Sequence, residues 1–370
     1  MELRPLSLRE IFDRAFALYA RSFVAFAASA AAFVVPATVA QHFIALRAAP
    51  QLETALNALQ RAQTLGTPAI PPVFTSPQFV LLALGGLLIG WLTWAFVLSA
   101  VGAGVAQVYR GNPVSARDCL GGVAPRSGAI LALSILELLA LAGFDLAAGA
   151  VLILLVVVAV LVAGNALAAL APLVAVCAFV LMLGPIELLV VPAAFGFFAV
   201  VVEGRGAAIS LRLGLLRVFT RSEFGRALRC AIVLSAIVTL SMVVTDALAF
   251  VAARGGDLAG SAIDASVRIV VNPFVALVLA LYYFDVRLRH EGFDLEPGVE
   301  RPALDGEPVY APTAYLSGAQ RALVKRFLAR RDELLPWRRR EIAAALAAPA
   351  RERVPEELRS LEDEQLLERL

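Results

Sequence analysis

Hydrophobic and polar positions along this chain sort into long blocks rather than short alternations. Apolar runs cover Ser22–Ala45, Phe79–Gln107, Gly128–Val202, about Leu228 to Ala252, and about Ile269 to Phe284. About 20 apolar residues cross a hydrocarbon core ~30 Å thick, so each shorter run predicts one transmembrane helix. The Gly128–Val202 block carries only three charges, Glu137, Asp145 and Glu187. As a single helix it would extend ~110 Å, so it must cross more than once.

Charge sidedness sets the number. Arg110, Arg117 and Arg126 precede the block, and Arg205, Arg212, Arg217, Arg221, Arg226 and Arg229 follow it. Both clusters are expected on the cytoplasmic side, which makes the crossings even in number. Two are expected, with a turn near Gly164-Asn165 and a break at Gly184-Pro185; four would leave no room for turns. The fold class is therefore all-α: a polytopic helical membrane protein of about six spans. Within residues 1–290, 15 basic residues fall on the inside segments and 4 on the outside ones. Both termini are then cytoplasmic.

Between the spans the pattern turns amphipathic. Ser7-Leu8-Arg9-Glu10 has the form of a capping box. Behind it Leu8, Ile11, Phe12, Ala15, Phe16 and Tyr19 recur at helical spacing, as expected of a helix in the plane of the interface. It does not have the form of a cleavable signal. A polar stretch from Arg47 to Gln78 holds a weak amphipathic helix (Leu52, Leu56, Leu59), and Asn112-Pro113 reads as the start of a short helix. Residues 206–227 form a basic amphipathic segment with Ile209, Leu213, Leu216 and Phe224 apolar among arginines, and Thr220-Arg221-Ser222-Glu223 is a second capping box.

Composition agrees: 60% of residues are hydrophobic, 17% charged, and the mean hydropathy is +0.81. Soluble chains run nearer 45–50% and 25%, so an ordinary soluble enzyme, a secreted protein and a nucleic-acid binder are excluded. The net charge of +2 hides a division, since residues 291–370 hold 16 of the 30 acidic and 13 of the 32 basic groups. All basic residues but Lys325 are arginine, a bias typical of GC-rich bacterial genomes. Cys119, Cys177 and Cys230 stand apart in or beside apolar runs and read as reduced, buried thiols. With only His42 and His290, neither a metal site nor a cofactor is expected.

The organisation expected is a transmembrane domain over 1–290, a Pro-rich linker over 291–315, and a helical cytoplasmic tail over 316–370. In the tail, Ser317 caps a first helix (Leu323, Phe327, Leu328, Leu334), Pro336 opens a second (Ile342, Ala345, Leu346), and Pro355 a third (Leu358, Leu361, Leu367, Leu370). Helices this short bury little surface alone, so they are expected to pack on the membrane domain or on a partner. Trp337-Arg338-Arg339-Arg340 reads as a basic turn paired with Glu333 and Glu341, or as a contact for anionic lipid or phosphate.

Four stretches carry a resemblance. They are Leu6-Ser7-Leu8-Arg9-Glu10-Ile11-Phe12-Asp13-Arg14-Ala15-Phe16, Tyr109-Arg110-Gly111, Val202-Glu203-Gly204, and the run from Tyr282-Tyr283-Phe284-Asp285-Val286-Arg287 to Glu296. Together they resemble bacterial membrane proteins grouped with the membrane domain of glycerophosphoryl diester phosphodiesterase, over roughly residues 1–296. That family commonly closes its last span with a Tyr-Asp-x-Arg-x-Arg-x-Glu-Gly-like run; here Phe284 intervenes, and the 128–184 region is longer than usual. The namesake enzyme resembles a TIM barrel, for which a tail of about 80 residues without alternating strands and helices is far too short. The resemblance thus implies a helical membrane domain and not the namesake activity. The tail also resembles the cytoplasmic ends of some RDD-type bacterial membrane proteins.

Ionisable residues within spans are costly and mark functional sites by default. Glu137, Glu187, Asp246 and Asp145 are the candidates, Glu187 standing beside the Gly184-Pro185 break. Glu203, Arg212, Arg217, Asp285, Arg287 and Arg289 are expected at the inner interface, with Glu203 and the pair Asp285–Arg287 fixing helix ends. No Walker loop, nucleophile elbow or metal-ligand pair is present, and Gly102-Ala103-Gly104 signals close helix packing. The expected function is a non-enzymatic bacterial inner-membrane scaffold that contacts anionic inner-leaflet lipids and meets a cytoplasmic protein partner through residues 316–370. The alternative is a small-molecule or lipid transporter using the buried acids, with an enzyme of lipid head groups third.

Overall fold

The computed structural model describes residues 6–65, 76–144, 189–220, 223–252, 257–292 and 315–370. Every described element is helical, and no strand occurs among the described residues. They are α1 (Leu8–Arg21), α2 (Phe23–Leu65), α3 (Pro77–Tyr109), α4 (Ala116–Phe144), α5 (Leu189–Glu203), α6 (Ala207–Val218), α7 (Phe224–Ala252) and α8 (Asp257–His290). The tail adds α9 (Gly318–Arg330), α10 (Pro336–Arg351), α11 (Glu356–Arg359) and α12 (Asp363–Arg369). The chain divides into two compact units, Leu8–Leu281 and Met1–Ser7 with Tyr282–Leu370. The division falls inside α8 rather than after it.

Among the described residues, five helices are long and apolar enough to cross a membrane: α2 over Phe23–Ala55, α3, α4, α7 over Phe224–Phe250 and α8 over Leu258–His290. This is a multi-pass helical membrane protein. The second crossing expected within 128–202 falls on residues of which only the end, the shorter apolar helix α5, is described. In four of the five, no more than 22% of the apolar stretch is buried, against 72% in α8. Leu81, Leu87, Leu139, Leu240, Met242 and Phe250 are all at least 60% exposed. Leucine, methionine and phenylalanine held outward along whole helices suit lipid, not water.

Several expected boundaries move. The weak helix around Leu52 is continuous with the first span, because Pro36 and Pro50 sit inside α2 without ending it. Each proline removes one ladder bond, and the Ala- and Leu-rich sequence on either side carries the helix on. Asn112 does not cap the next helix. Its backbone N–H and side chain turn back to the Gln107 carbonyl and amide oxygens, at 3.0 and 3.1 Å, and it closes α3. Ser115 caps α4 instead, accepting from the Asp118 N–H at 3.2 Å and donating to its carboxylate at 2.5 Å. The helix of residues 116–123 then runs on through one tight turn, Ala124–Arg126, into the third span, which starts a dozen residues earlier than the apolar run suggests.

Helices α2 and α3 lie antiparallel. Phe26 meets Gly104, Phe33 stacks on Phe96 with centroids 5.2 Å apart, and the Gln41 amide donates to the Gly86 carbonyl at 3.2 Å. Trp91 and Trp94 lie half-buried along this stretch. The end of α3 is a tight crossing, as its glycines predict. A Cβ on Gly102 would stand 2.5 Å from the Phe198 ring of α5, and one on Gly104 would stand 2.7 Å from the Cys119 sulfur of α4. From α4, a Cβ on Gly122 would meet the Ala103 methyl at 2.6 Å. Cys119 and Cys230 are buried free thiols, as expected; Cys177 lies outside the described residues. On α1, Ile11, Ala15 and Tyr19 are buried while Phe16 is 67% exposed. The Tyr19 hydroxyl donates to the Val270 carbonyl of α8 at 2.6 Å, and burial pushes its phenol up to about 12.

The tail builds a core of its own. Leu316, Val324, Phe327, Leu334, Ile342, Leu346, Leu366 and Leu367 are all buried together. Ser317 caps α9 in a full capping box with Gln320, and Pro336 opens α10, as expected. The third helix is split into α11 and α12, and Arg351 holds the break by donating to the Arg359 and Leu361 carbonyls, both at 3.0 Å, and to Asp363 at 2.6 Å. Arg339 grips Glu364 through two nitrogens and is a packing residue rather than an open anion contact. Arg338 pairs with Glu341 at 2.8 Å, as expected. Ala343, Ala347 and Ala350 fill the core, whereas Ala345 faces out.

Adjacent glycines in α4 give a controlled test. A Cβ on Gly121 meets nothing within 4 Å. Gly121→Ala is therefore expected to be neutral or stabilising by up to about 1 kcal/mol, from helix propensity. Gly122→Ala, driven into Ala103, is expected to destabilise by about 1–3 kcal/mol, read as the difference in thermal unfolding of the two variants in detergent.

Candidate functional site

Glu137 owes its position to the periodicity of α4. Ile130, Leu133, Ser134 and Glu137 fall on one helical face, and all are at most 4% exposed. Leu131, Ile135, Leu136 and Leu139 occupy the opposite face and are exposed. The helix is thus turned with a serine and a carboxyl inward beside Ile130 and Leu133, and with Leu131, Leu136 and Leu139 outward, unlike a soluble amphipathic helix. Counting eleven residues from Arg126, the carboxyl lies ~16 Å up the helix axis, about half the depth of a hydrocarbon core.

Helix α5 lies against this face, buried from 191 to 201. Gly196 is the point of approach. A Cβ there would stand 3.3 Å from a Leu133 methyl, 3.5 Å from Glu137 Oε1 and 3.5 Å from the Ser210 carbonyl oxygen. The last turn of α5 widens to a π segment, Ala199–Glu203, and Gly204 ends it with φ +73°. Widening the turn displaces carbonyls from the regular ladder, and Arg126 donates to that of Val200. Its guanidinium lies about 3.0 Å from where a Gly204 Cβ would stand, so both backbone angle and space require glycine.

Helix α6 is amphipathic with its apolar side outward: Ile209 and Leu216 are 55% and 53% exposed, and Phe224 at the start of α7 is 39% exposed. Ser210, Gly214 and Arg217 are buried instead. In lipid the apolar side chains gain nothing by facing protein, so the small and polar face turns inward. Gly214 comes so close to α5 that a Cβ would stand 2.2 Å from the Pro192 carbonyl oxygen. Arg217 then reaches Glu203 at 2.7 Å, with side chains 2% and 10% exposed, while Arg205 is a looser neighbour at 3.9 Å. Arg212 is exposed, as a contact with lipid head groups requires.

Three helices therefore enclose one isolated carboxyl. Neither oxygen of Glu137 has a hydrogen-bond partner among the described residues, and the buried Ser210 hydroxyl has none either. An ionised carboxylate without a counter-ion is expensive at this depth. A bound proton or a cationic group removes that cost, and this is the chemistry the site offers. Of the other acids expected in spans, Asp246 is exposed on α7, while Asp145 and Glu187, with Gly164-Asn165 and Gly184-Pro185, lie outside the described residues. Sequence reasoning missed Gly196, Ser210 and Gly214; the Ser210–Gly214 spacing, a small-x-x-x-small pattern, was the available signal.

A second polar cluster also went unread. At the end of the bundle where α2 meets the start of α8, Arg268 bridges Asp264 at 2.9 Å and the Gln41 amide oxygen at 3.0 Å, and His42 bonds Ser261 at 3.0 Å. Gln41-His42 inside an apolar span was its signal.

In the smaller unit, the inner-interface residues form i,i+4 pairs: Asp285 bonds Arg289 and Arg287 bonds Glu291, both at 2.9 Å. Four residues is one turn plus a fraction, so 285 meets 289 and 287 meets 291. Asp285 also accepts from the Leu6 N–H at 2.6 Å, and Arg289 donates to the Leu6 carbonyl at 2.6 Å. The end of α8 leaves carbonyls unpaired, as every helix does. Here Arg330 takes that of Leu288 at 2.6 Å, the Leu335 N–H that of His290 at 2.9 Å, and Arg338 that of Glu291 at 2.9 Å.

Removing one member of the buried pair, as in Arg217→Met, leaves Glu203 without its closest partner and is expected to cost about 3–5 kcal/mol. Glu203→Gln with Arg217→Met is expected to recover most of it, in a double-mutant cycle of unfolding midpoints in detergent. No family model matches the chain, and neither a curated protein nor a solved structure matches it.

Proposed function

We propose that this protein is a non-enzymatic anchor of the bacterial cytoplasmic membrane that presents its helical tail to a protein partner in the cytoplasm. The observation that carries this reading is the capped end of α8. The tail supplies partners for the Leu288, His290 and Glu291 carbonyls, and Asp285 and Arg289 hold Leu6. Joined this way, the tail is a folded module on a membrane helix, with its own core. The surplus of basic residues on the inside segments supports cytoplasmic termini, and exposed Arg212 supports contact with anionic lipid. The resemblance to the glycerophosphoryl diester phosphodiesterase membrane domain supports a membrane role without the namesake chemistry.

A second reading, a transporter of small molecules or lipids, is favoured by one observation, the unpartnered carboxyl of Glu137. Two arms separate them. Removing residues 313–370 is expected to abolish a stoichiometric, crosslinkable complex on the tail while membrane insertion persists. Reporter fusions at both termini are expected to report the cytoplasm. Solute flux through liposomes that is lost in Glu137→Gln, with no tail-dependent complex, decides for the transporter.

A further inference from the structure

We propose that Glu137 is a reversible proton-binding site inside the membrane body, working as a single carboxyl without a metal ion. The geometry for binding is where α4 crosses α5: a carboxyl 4% exposed, both oxygens without a hydrogen-bond partner among the described residues, one of them facing Gly196, which the Ser210 carbonyl of α6 also approaches. Oxygen supply decides what it holds. Sodium-like and larger hard cations take about six oxygens or more. Here the described neighbours offer the two carboxylate oxygens and the Ser210 carbonyl that approaches Gly196. Among the described residues no cluster of three metal-ligating side chains occurs. A proton needs one acceptor only, and Glu137 supplies it.

The charged groups on the packed helices do not compete. On α4 itself Arg117 and Arg126 lie three or more turns below, Arg126 being engaged by the Val200 carbonyl, and Asp118 is bonded to Ser115. On α5 and α6 the ionisable residues are Glu203, Arg212 and Arg217; Glu203 and Arg217 pair with each other, and Arg212 is exposed. Releasing the proton leaves a carboxylate that requires water. Gly196 and Gly214 pack without spare room, so water enters only as α4 parts from α5 and α6. Proton loading and helix packing are therefore linked at this crossing.

The test uses a fluorescent hydrophobic carbodiimide, which adds to protonated carboxyls in apolar surroundings: the acid proton goes to a carbodiimide nitrogen and the oxygen to its carbon. The full chain in liposomes is labelled across a pH series, with the adduct mapped by mass spectrometry. Labelling is expected at Glu137, absent in Glu137→Gln, retained in Glu137→Asp, and falling roughly tenfold per pH unit above the midpoint. Sodium chloride is expected to leave it unchanged at matched ionic strength. Labelling that is absent from wild-type Glu137 or flat with pH overturns the proposal, as does labelling blocked by sodium. The wild-type profile decides even where the Gln variant does not fold. The site goes beyond the anchoring role, and removal of residues 313–370 is expected to leave labelling intact.

Discussion

Close approach of small residues is the constraint on which the membrane body depends. Lipid tails solvate leucine as well as another helix does, so burying apolar side chains adds little to helix association there. What remains is backbone proximity. Gly102, Gly104 and Gly122 bring α3, α4 and α5 to one crossing, and Gly196 and Gly214 bring α5 and α6 to another. Dispersion between atoms in direct contact, and polar pairs shielded from lipid, then supply the attraction. The same logic explains why Ser134 and Glu137 share the buried face of α4 with Ile130 and Leu133, and Ser210 and Arg217 are buried on α6, while Leu139 and Ile209 face out.

This inside-out arrangement places polar groups where they interact strongly. The Glu203–Arg217 pair closes the junction of α5 with α6, and Arg126 satisfies the π segment. Glu137, one helix face away, is left with no partner among the described residues. Among the described residues the neighbouring charged groups Glu203, Arg217 and Arg126 have partners and the Glu137 carboxyl has none, which sets it apart from the structural pairs. The smaller unit is organised by another demand, the unpaired carbonyls at the end of α8, which the tail meets with two arginines and a backbone N–H. That is how a tail whose helices are too short to stand alone acquires a fixed base.

Much of the architecture was legible. Long apolar runs, the tightness of Gly102-Ala103-Gly104, the Ser317 cap, the opening of α10 at Pro336 and the burial of Glu137 all follow from residue type and local spacing. The bond from Asp285 to Arg289 was not read from the sequence, although helical spacing brings residues four apart together. Asn112 lost the cap to Ser115 because Gln107 claims its side chain and backbone. The small residues on the buried face of α6 were not read from the sequence, because an amphipathic pattern states which faces differ and only the neighbouring helix decides what the polar face meets.

Sequence by itself determined that this is a helical multi-pass membrane protein followed by short tail helices. The free energy of moving apolar helices from water to lipid is a sum over residues, readable from composition in a window. Tertiary structure alone decided which side of each helix is buried, that Gly196 approaches both Glu137 and the Ser210 carbonyl, and that Leu6, Asp285 and Arg289 meet. Those contacts join residues far apart in the chain, and their energies depend on distances of a few ångströms that no local pattern records.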